Sequence, residues 1–296
     1  MALDDGHCTE RFEALADWQE HARYLHQQMK AWLKDIRHLH REDTLDDPGH
    51  GRRNIGWLLD RPEASLEQSV DDLRTLVDDL AARAGRSEGA QALALLQVAV
   101  WLTLSLETPL RVSNWCAVQW RTKAPAGAEK APCLWWDGHA QAYQLRVPRS
   151  WLKNRRGREI ETIAAQYRHP QAVDLLNRLA ALRDELGWCQ GYLFVQTRDS
   201  GSRSAGEPYT RTGLGNAIQT WTGRLARQRW PERDVGDGIN PHALRHFLAT
   251  YVLEKTGDFR LAATALMDSV AVVMNVYGKN DHAANQRRLS ELQQEA

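Results

Sequence analysis

Cysteine is scarce in this sequence. Four residues, Cys8, Cys116, Cys133 and Cys189, are spread over 296 positions, and no two share a C-x-x-C spacing. Neither a disulfide framework nor a cysteine-based zinc site is therefore expected, and the thiols read as reduced core or surface groups. Long hydrophobic runs are also missing. The most apolar stretch, Ala92 to Leu106, is interrupted by Gln97 and closed by Glu107 and Pro109, which makes it too short and too polar for a bilayer span and predicts a buried helix. The opening residues (MALDDGHCTE) lack a basic start, an apolar run and a small-residue cleavage site, so a cytoplasmic location is expected. Internal repeats and a P-loop are absent too, which argues against a solenoid and against P-loop nucleotide chemistry.

Net charge is zero as well, but its distribution is uneven. Residues 1–90 carry 12 Lys/Arg against 19 Asp/Glu, and residues 91–296 carry 26 against 19. If one part meets a nucleic acid, it is the second. With 43% hydrophobic residues, the chain has enough apolar material for a packed core.

Apolar residues at Leu15, Trp18, Ala22, Leu25, Met29, Trp32, Ile36 and Leu39 alternate steps of three and four, which predicts one long helix with a heptad seam. Such a seam suits either a partner subunit or packing on the helix's own domain. The Asp, Pro and Gly content of Arg41 to Asn54 marks a linker. We therefore divide the chain into an N-terminal helical segment with linker, 1–64, and a main domain, 65–296.

In the main domain, Ser65 with Gln68 three residues on forms a capping box, and Gly85 is the stop. A buried helix to Leu106 follows, then a turn through Thr108-Pro109-Leu110-Arg111 into a helical segment through Trp115 and Val118. Leu134 to Trp136, Tyr143 to Val147 and Glu159 to Ile163 read as short strands of a small antiparallel sheet. Helices resume at Pro170, with Gly187 as the stop, and again over roughly Leu214 to Arg227. Asn240 caps a further helix that Gly257 ends. The expected class is mainly α with a small antiparallel β-sheet, α+β.

The segment Pro241-His-Ala-Leu-Arg-His-Phe-Leu-Ala-Thr250 puts His242 and Arg245 three apart, on one helix face, where both can reach one ligand. An imidazole moves protons near neutral pH, and a planar guanidinium holds two phosphate oxygens. On spacing alone, a surface salt-bridging pair is the better reading. A second concentration of charge lies between Arg146 and Glu159, with six basic residues against one acid.

The segment resembles the H-x-L-R-H-x-x-A-T box of tyrosine recombinases and phage-type integrases. Upstream, Thr108-Pro-Leu-Arg111-Val-Ser is similar to that family's T-G-L-R-I-S box. Downstream, Leu266-Met-Asp268-Ser-Val-Ala-Val-Val-Met-Asn-Val-Tyr277 is similar to its L-G-H-S-S-x-x-T-T-x-x-Y box. Between them, Leu152-Lys153-Asn-Arg-Arg-Gly-Arg-Glu-Ile resembles the turn of its β-hairpin. The four boxes follow in order over roughly residues 65–280, which is more specific than any one of them.

The resemblance implies a catalytic domain that cuts and rejoins DNA through a covalent 3′-phosphotyrosine. It makes Tyr277 the nucleophile, Arg111 and Arg245 the phosphate ligands, Lys153 the acid for the departing 5′ oxygen, and His242 the group that takes the tyrosine proton. It implies duplex DNA as the partner, a homotetramer on two sites, a bacterial cytoplasm with its nucleoid as the location, and no metal, nucleotide cofactor, small-molecule substrate or membrane. DNA contacts are expected from Arg146, Arg149, Arg155, Arg156 and Arg158, and from the loop and helix between Arg203 and Arg229, including Arg211 and Arg224.

Three positions depart from the pattern. Asp268 stands where the family usually has a His or Trp that donates to the phosphate, and an ionised carboxylate there repels it, so either Asp268 is turned away or protonated, or the enzyme is slow. Asn114 stands where many members have a carboxylate, and Met267 replaces a glycine. A type IB topoisomerase, a DNA-binding homologue that does not cut, and an interaction module built on the heptad helix are the alternatives.

Overall fold

The computed structural model describes residues 65–125, 130–152, 162–188, 191–200, 203–268 and 270–277, the side chains at 272 and 275–277 excepted. The chain divides into two compact units, Met1–His50 and Gly51–Ala296, and all described residues belong to the second. The heptad segment 15–39 and the linker lie outside the described residues.

Local signals set most helix ends. Helix α1 (Leu66–Ala84) starts where the Ser65 hydroxyl accepts from the Gln68 N–H at 3.3 Å, and it stops at Gly85. Helix α2 (Gly89–Glu107) is apolar on all sides, with every residue from Ala92 to Ser105 buried. By length and composition it could cross a bilayer, contrary to the expectation from residues 92–106; here α1, α4 (Pro170–Glu185) and α5 (Arg211–Arg229) pack around it. Gln97, the polar interruption in this helix, is only 1% exposed. Its amide donates to the Val195 carbonyl at 3.0 Å and accepts from the Val195 N–H at 2.6 Å, joining the helix to the 192–195 segment.

Helix α3 (Val112–Ala117) buries Trp115, whose ring meets Phe194 edge to face, with centroids 6.1 Å apart. Strands β1 (Gln119–Arg121), β2 (Cys133–Asp137), β3 (Ala142–Pro148) and β4 (Thr162–Tyr167) form one sheet in that order. The sheet is mixed, not antiparallel as expected: β1 pairs parallel with β2, while β2–β3 and β3–β4 are antiparallel. Strand β1 carries no alternating apolar pattern of its own. It is stitched in by backbone bonds, Gln119 N–H to the Pro132 carbonyl and Trp120 N–H to the Gly191 carbonyl. Strand β4 runs on to Tyr167, past the expected end at Ile163, and residues 159–161 lie outside the described residues.

Helices α6 (Pro241–Thr256), α7 (Phe259–Leu266) and α8 (Val270–Tyr277) complete the chain as described. Two glycines let the loop before α6 cross α5 closely. A Cβ on Gly223 would stand 2.7 Å from the Asp237 carbonyl oxygen, and one on Gly238, where φ is +97°, would run into the Gln219 carbonyl and the Gly223 backbone. Arg233 in this loop pairs with Asp72 of α1 at 2.8 Å and lies over Trp230. The start of α6, and with it His242, is positioned by these contacts.

Candidate active site

Asn240 accepts from the His242 N–H at 2.8 Å, and Pro241 fits the first turn, so α6 begins with His242 on its exposed rim and Arg245 one turn deeper. Arg245 is 6% exposed. Its Nη1 donates to the Pro109 carbonyl, and its Nη2 donates to the Leu266 carbonyl at 2.8 Å and to Asp268 Oδ2 at 3.2 Å. The guanidinium thus joins the turn after α2, the end of α7 and the residue beyond it.

Arg111 comes from the other side. Thr108 and Pro109 end α2, and Arg111, extended at φ −62°, ψ 145°, stands at the N-cap of α3. Its Nη2 donates to the same Asp268 Oδ2 at 3.0 Å. Two arginines from separate parts of the chain therefore meet on one carboxylate oxygen.

Asp268 is oriented by the way α7 ends. Met267 is left-handed (φ +54°, ψ 38°); its N–H donates to the Thr264 carbonyl, and the Asp268 N–H donates to the Ala263 carbonyl at 2.9 Å. This is the Schellman pairing, whose left-handed position favours glycine and is taken here by Met267. Asp268 is not turned away from the arginines: two guanidiniums face its carboxylate, whose side chain is 8% exposed.

The Nε2 atoms of His242 and His246 are 3.0 Å apart, with the rings edge to face. The His242 pKa is lowered, first by loss of surrounding water and then by the charges of Arg245, Arg111 and Arg211, against which Asp268 acts. Burial, followed by His242 and Arg245, pushes His246 down to about 4. Both rings are thus neutral near pH 7, and one can donate its N–H to the other. Arg211, at the start of α5, is thus one of the charges that act on His242.

Of the other expected residues, Lys153, Arg155, Arg156 and Arg158 lie outside the described residues, as does the side chain of Tyr277, which closes α8. Arg146 on β3 lies over Trp135, and Arg149 opens a short 3-10 turn (Arg149–Trp151). Arg224 is exposed on α5 and lies over Trp221, 5.0 Å from the ring centre. Two arginines of the expected DNA-contacting stretch donate to backbone carbonyls: Arg203 to that of Pro208 at 2.7 Å and Arg227 to that of Gly236. Asn114, where a carboxylate would help hold the site, is buried in α3 at 5% exposure.

Two features had no assigned role in the sequence. The spacing of His246 four residues after His242 was a visible signal for their contact. Arg183 had none: it is 3% exposed and donates to the carbonyls of Trp188, Tyr192 and Leu193.

No family model and no curated protein matches the chain. Among solved structures it is similar to XerA recombinase, at 18% identity and a TM-score of 0.41, over 75% of this chain and 61% of that one. The chain thus spans less than two thirds of that protein's length.

Proposed function

We propose that this chain breaks and rejoins DNA strands as a tyrosine recombinase. The observation that carries the proposal is the meeting of Arg111 and Arg245 on a single oxygen, with neutral His242 beside them. Two guanidiniums converging on one oxygen are suited to the charge that spreads over a phosphodiester under attack. The order of the four sequence boxes supports the same reading.

In this reaction the Tyr277 hydroxyl attacks the scissile phosphorus and its proton passes to His242. The bond from phosphorus to the 5′ oxygen breaks as a bond from phosphorus to the tyrosine oxygen forms, and Lys153 gives the leaving oxygen a proton. Arg111 and Arg245 hold the non-bridging oxygens. A phosphodiester is exchanged for a phosphodiester, so the released 5′ hydroxyl, or one from another strand, reverses the step without ATP. Arg146, Arg149, Arg155, Arg156, Arg158, Arg211 and Arg224 are assigned to the DNA backbone, with a homotetramer on two duplexes as the working assembly in a bacterial cytoplasm.

The test is a duplex nicked near the cleavage site, which traps the intermediate because the short released fragment diffuses away. Wild type should yield a protein–DNA adduct on a denaturing gel and Tyr277→Phe none; no adduct from wild type on any substrate of a randomised pool would sink the proposal. The carboxylate lodged between the arginines favours a second reading, a DNA-binding homologue that does not cut. It predicts retention of duplexes from the same pool with no adduct.

A further inference from the structure

The corner between α7 and α8 is held in two ways. Its backbone is pinned by the Schellman bonds of Met267 and Asp268, and its side chain by Arg111 and Arg245. Val273 is fully buried against Ala249, Ala262, Ala263 and Leu266, while Val270 and Met274 are 37% and 52% exposed. This cluster, on which Val252, Leu253 and Phe259 also pack, is small and separate from the main core, so α8 is among the parts that open at lower cost than that core. The ion pairs of Asp268 tie this corner to the body of the protein.

We propose that Asp268 is a built-in competitor for the phosphate site of Arg111 and Arg245. Its carboxylate fills the guanidinium cradle until a DNA phosphate displaces it, and its departure loosens the helix that ends at Tyr277. The inference rests on reading the two arginines as a phosphate site. Carboxylate and phosphate oxygens compete for the same N–H donors, and Oδ2 already sits where both guanidiniums point. The cradle survives the exchange, because the Pro109 and Leu266 carbonyls still hold Arg245. Because Asp268 is two residues before α8, whatever replaces it removes a tether on that helix, so anion occupancy and the freedom of α8 are linked.

The test titrates inorganic phosphate, and separately a short duplex, into the full chain and its Asp268→Asn variant by calorimetry, with amide exchange followed over residues 270–277. Asp268→Asn should bind phosphate about tenfold more tightly or better. In wild type, phosphate should speed exchange over 270–277. A folded variant that binds phosphate no better than wild type overturns the inference. Should the variant not fold, the wild type decides alone: unchanged exchange at saturating phosphate overturns it equally. Displacement by phosphate but not by duplex upholds Asp268 as a competitor for a phosphate anion, and sinks the DNA reading together with DNA as the displacing ligand. Phosphate binding by neither protein sinks both, whereas absence of an adduct in the nicked-duplex assay leaves the competitor standing.

Discussion

His242 and His246 share a contact of 3.0 Å between their Nε2 atoms, one turn apart on the helix that also carries Arg245. Two charged imidazoles could not sit so close, and the nearby guanidiniums push the same way. Both pKa values are lowered, His246 to about 4.

These shifts set a direction for stability. Between about 6.5 and 4 the unfolded chain takes up a proton at His246 and the folded chain does not, so the stability linked to His246 is full above that window and falls as the pH drops through it; the lowered pKa of His242 acts in the same direction. Imidazole proton shifts followed by NMR should show His246 titrating near 4, and His246→Gln should flatten the acid limb of a stability–pH curve. A titration of His246 at its ordinary value of about 6.5 would remove this acid-side loss of stability.

Arg245 and Arg111 share Asp268 but differ in burial, and this separates their contributions. Arg245→Met removes a buried guanidinium from two carbonyls and from a carboxylate that is itself buried, which should cost about 3–5 kcal/mol in urea unfolding. Arg111, with its side chain 30% exposed, should cost about 1 kcal/mol or less on the same change. Equal losses would show that Arg245 is not the anchor.

Gln97→Leu keeps the size of the side chain and adds apolar surface inside an apolar helix. It nevertheless strands the Val195 N–H and carbonyl, both bound by Gln97, so a loss of about 1–3 kcal/mol is expected. Unchanged or increased stability in chemical denaturation would mean that the pair contributes nothing net.

For DNA, the arginines should fall into two groups. Arg146→Ala, Arg211→Ala and Arg224→Ala should each weaken duplex binding and lower the slope of log affinity against log salt by about 1, measured by fluorescence anisotropy. Arg203→Ala and Arg227→Ala, which remove donors from backbone carbonyls, should lower thermal stability and leave the slope alone. A slope change on Arg227→Ala would put that residue on the DNA after all.

Much of the helical framework was legible beforehand. Ser65, Gly85, Pro170, Asn240 and Gly257 act within one turn, through caps and φ preferences, so they mark the ends of α1, α4 and α6 whatever lies around them. The edge of the sheet was less so: β1 exists because backbone groups of Pro132 and Gly191 are presented to it, and no pattern within Gln119–Arg121 announces that. At the site, His242 and Arg245 could be paired with chemistry on residue type, while Arg111 and Asp268 were picked out only by the family resemblance. The role of Asp268 could not be read there, because the sign of its effect depends on what faces it.

By itself, then, the sequence determined the α+β class, the helix termini and a short list of chemically apt residues, since these follow from periodicity, local hydrogen bonding and side-chain type. Only the tertiary structure decided that Asp268 joins Arg111 to Arg245, that Gln97 holds Val195, and that Arg203 and Arg227 are engaged with carbonyls. Each of these depends on which atoms, distant along the chain, arrive within about 3 Å of one another, the range over which a hydrogen bond forms.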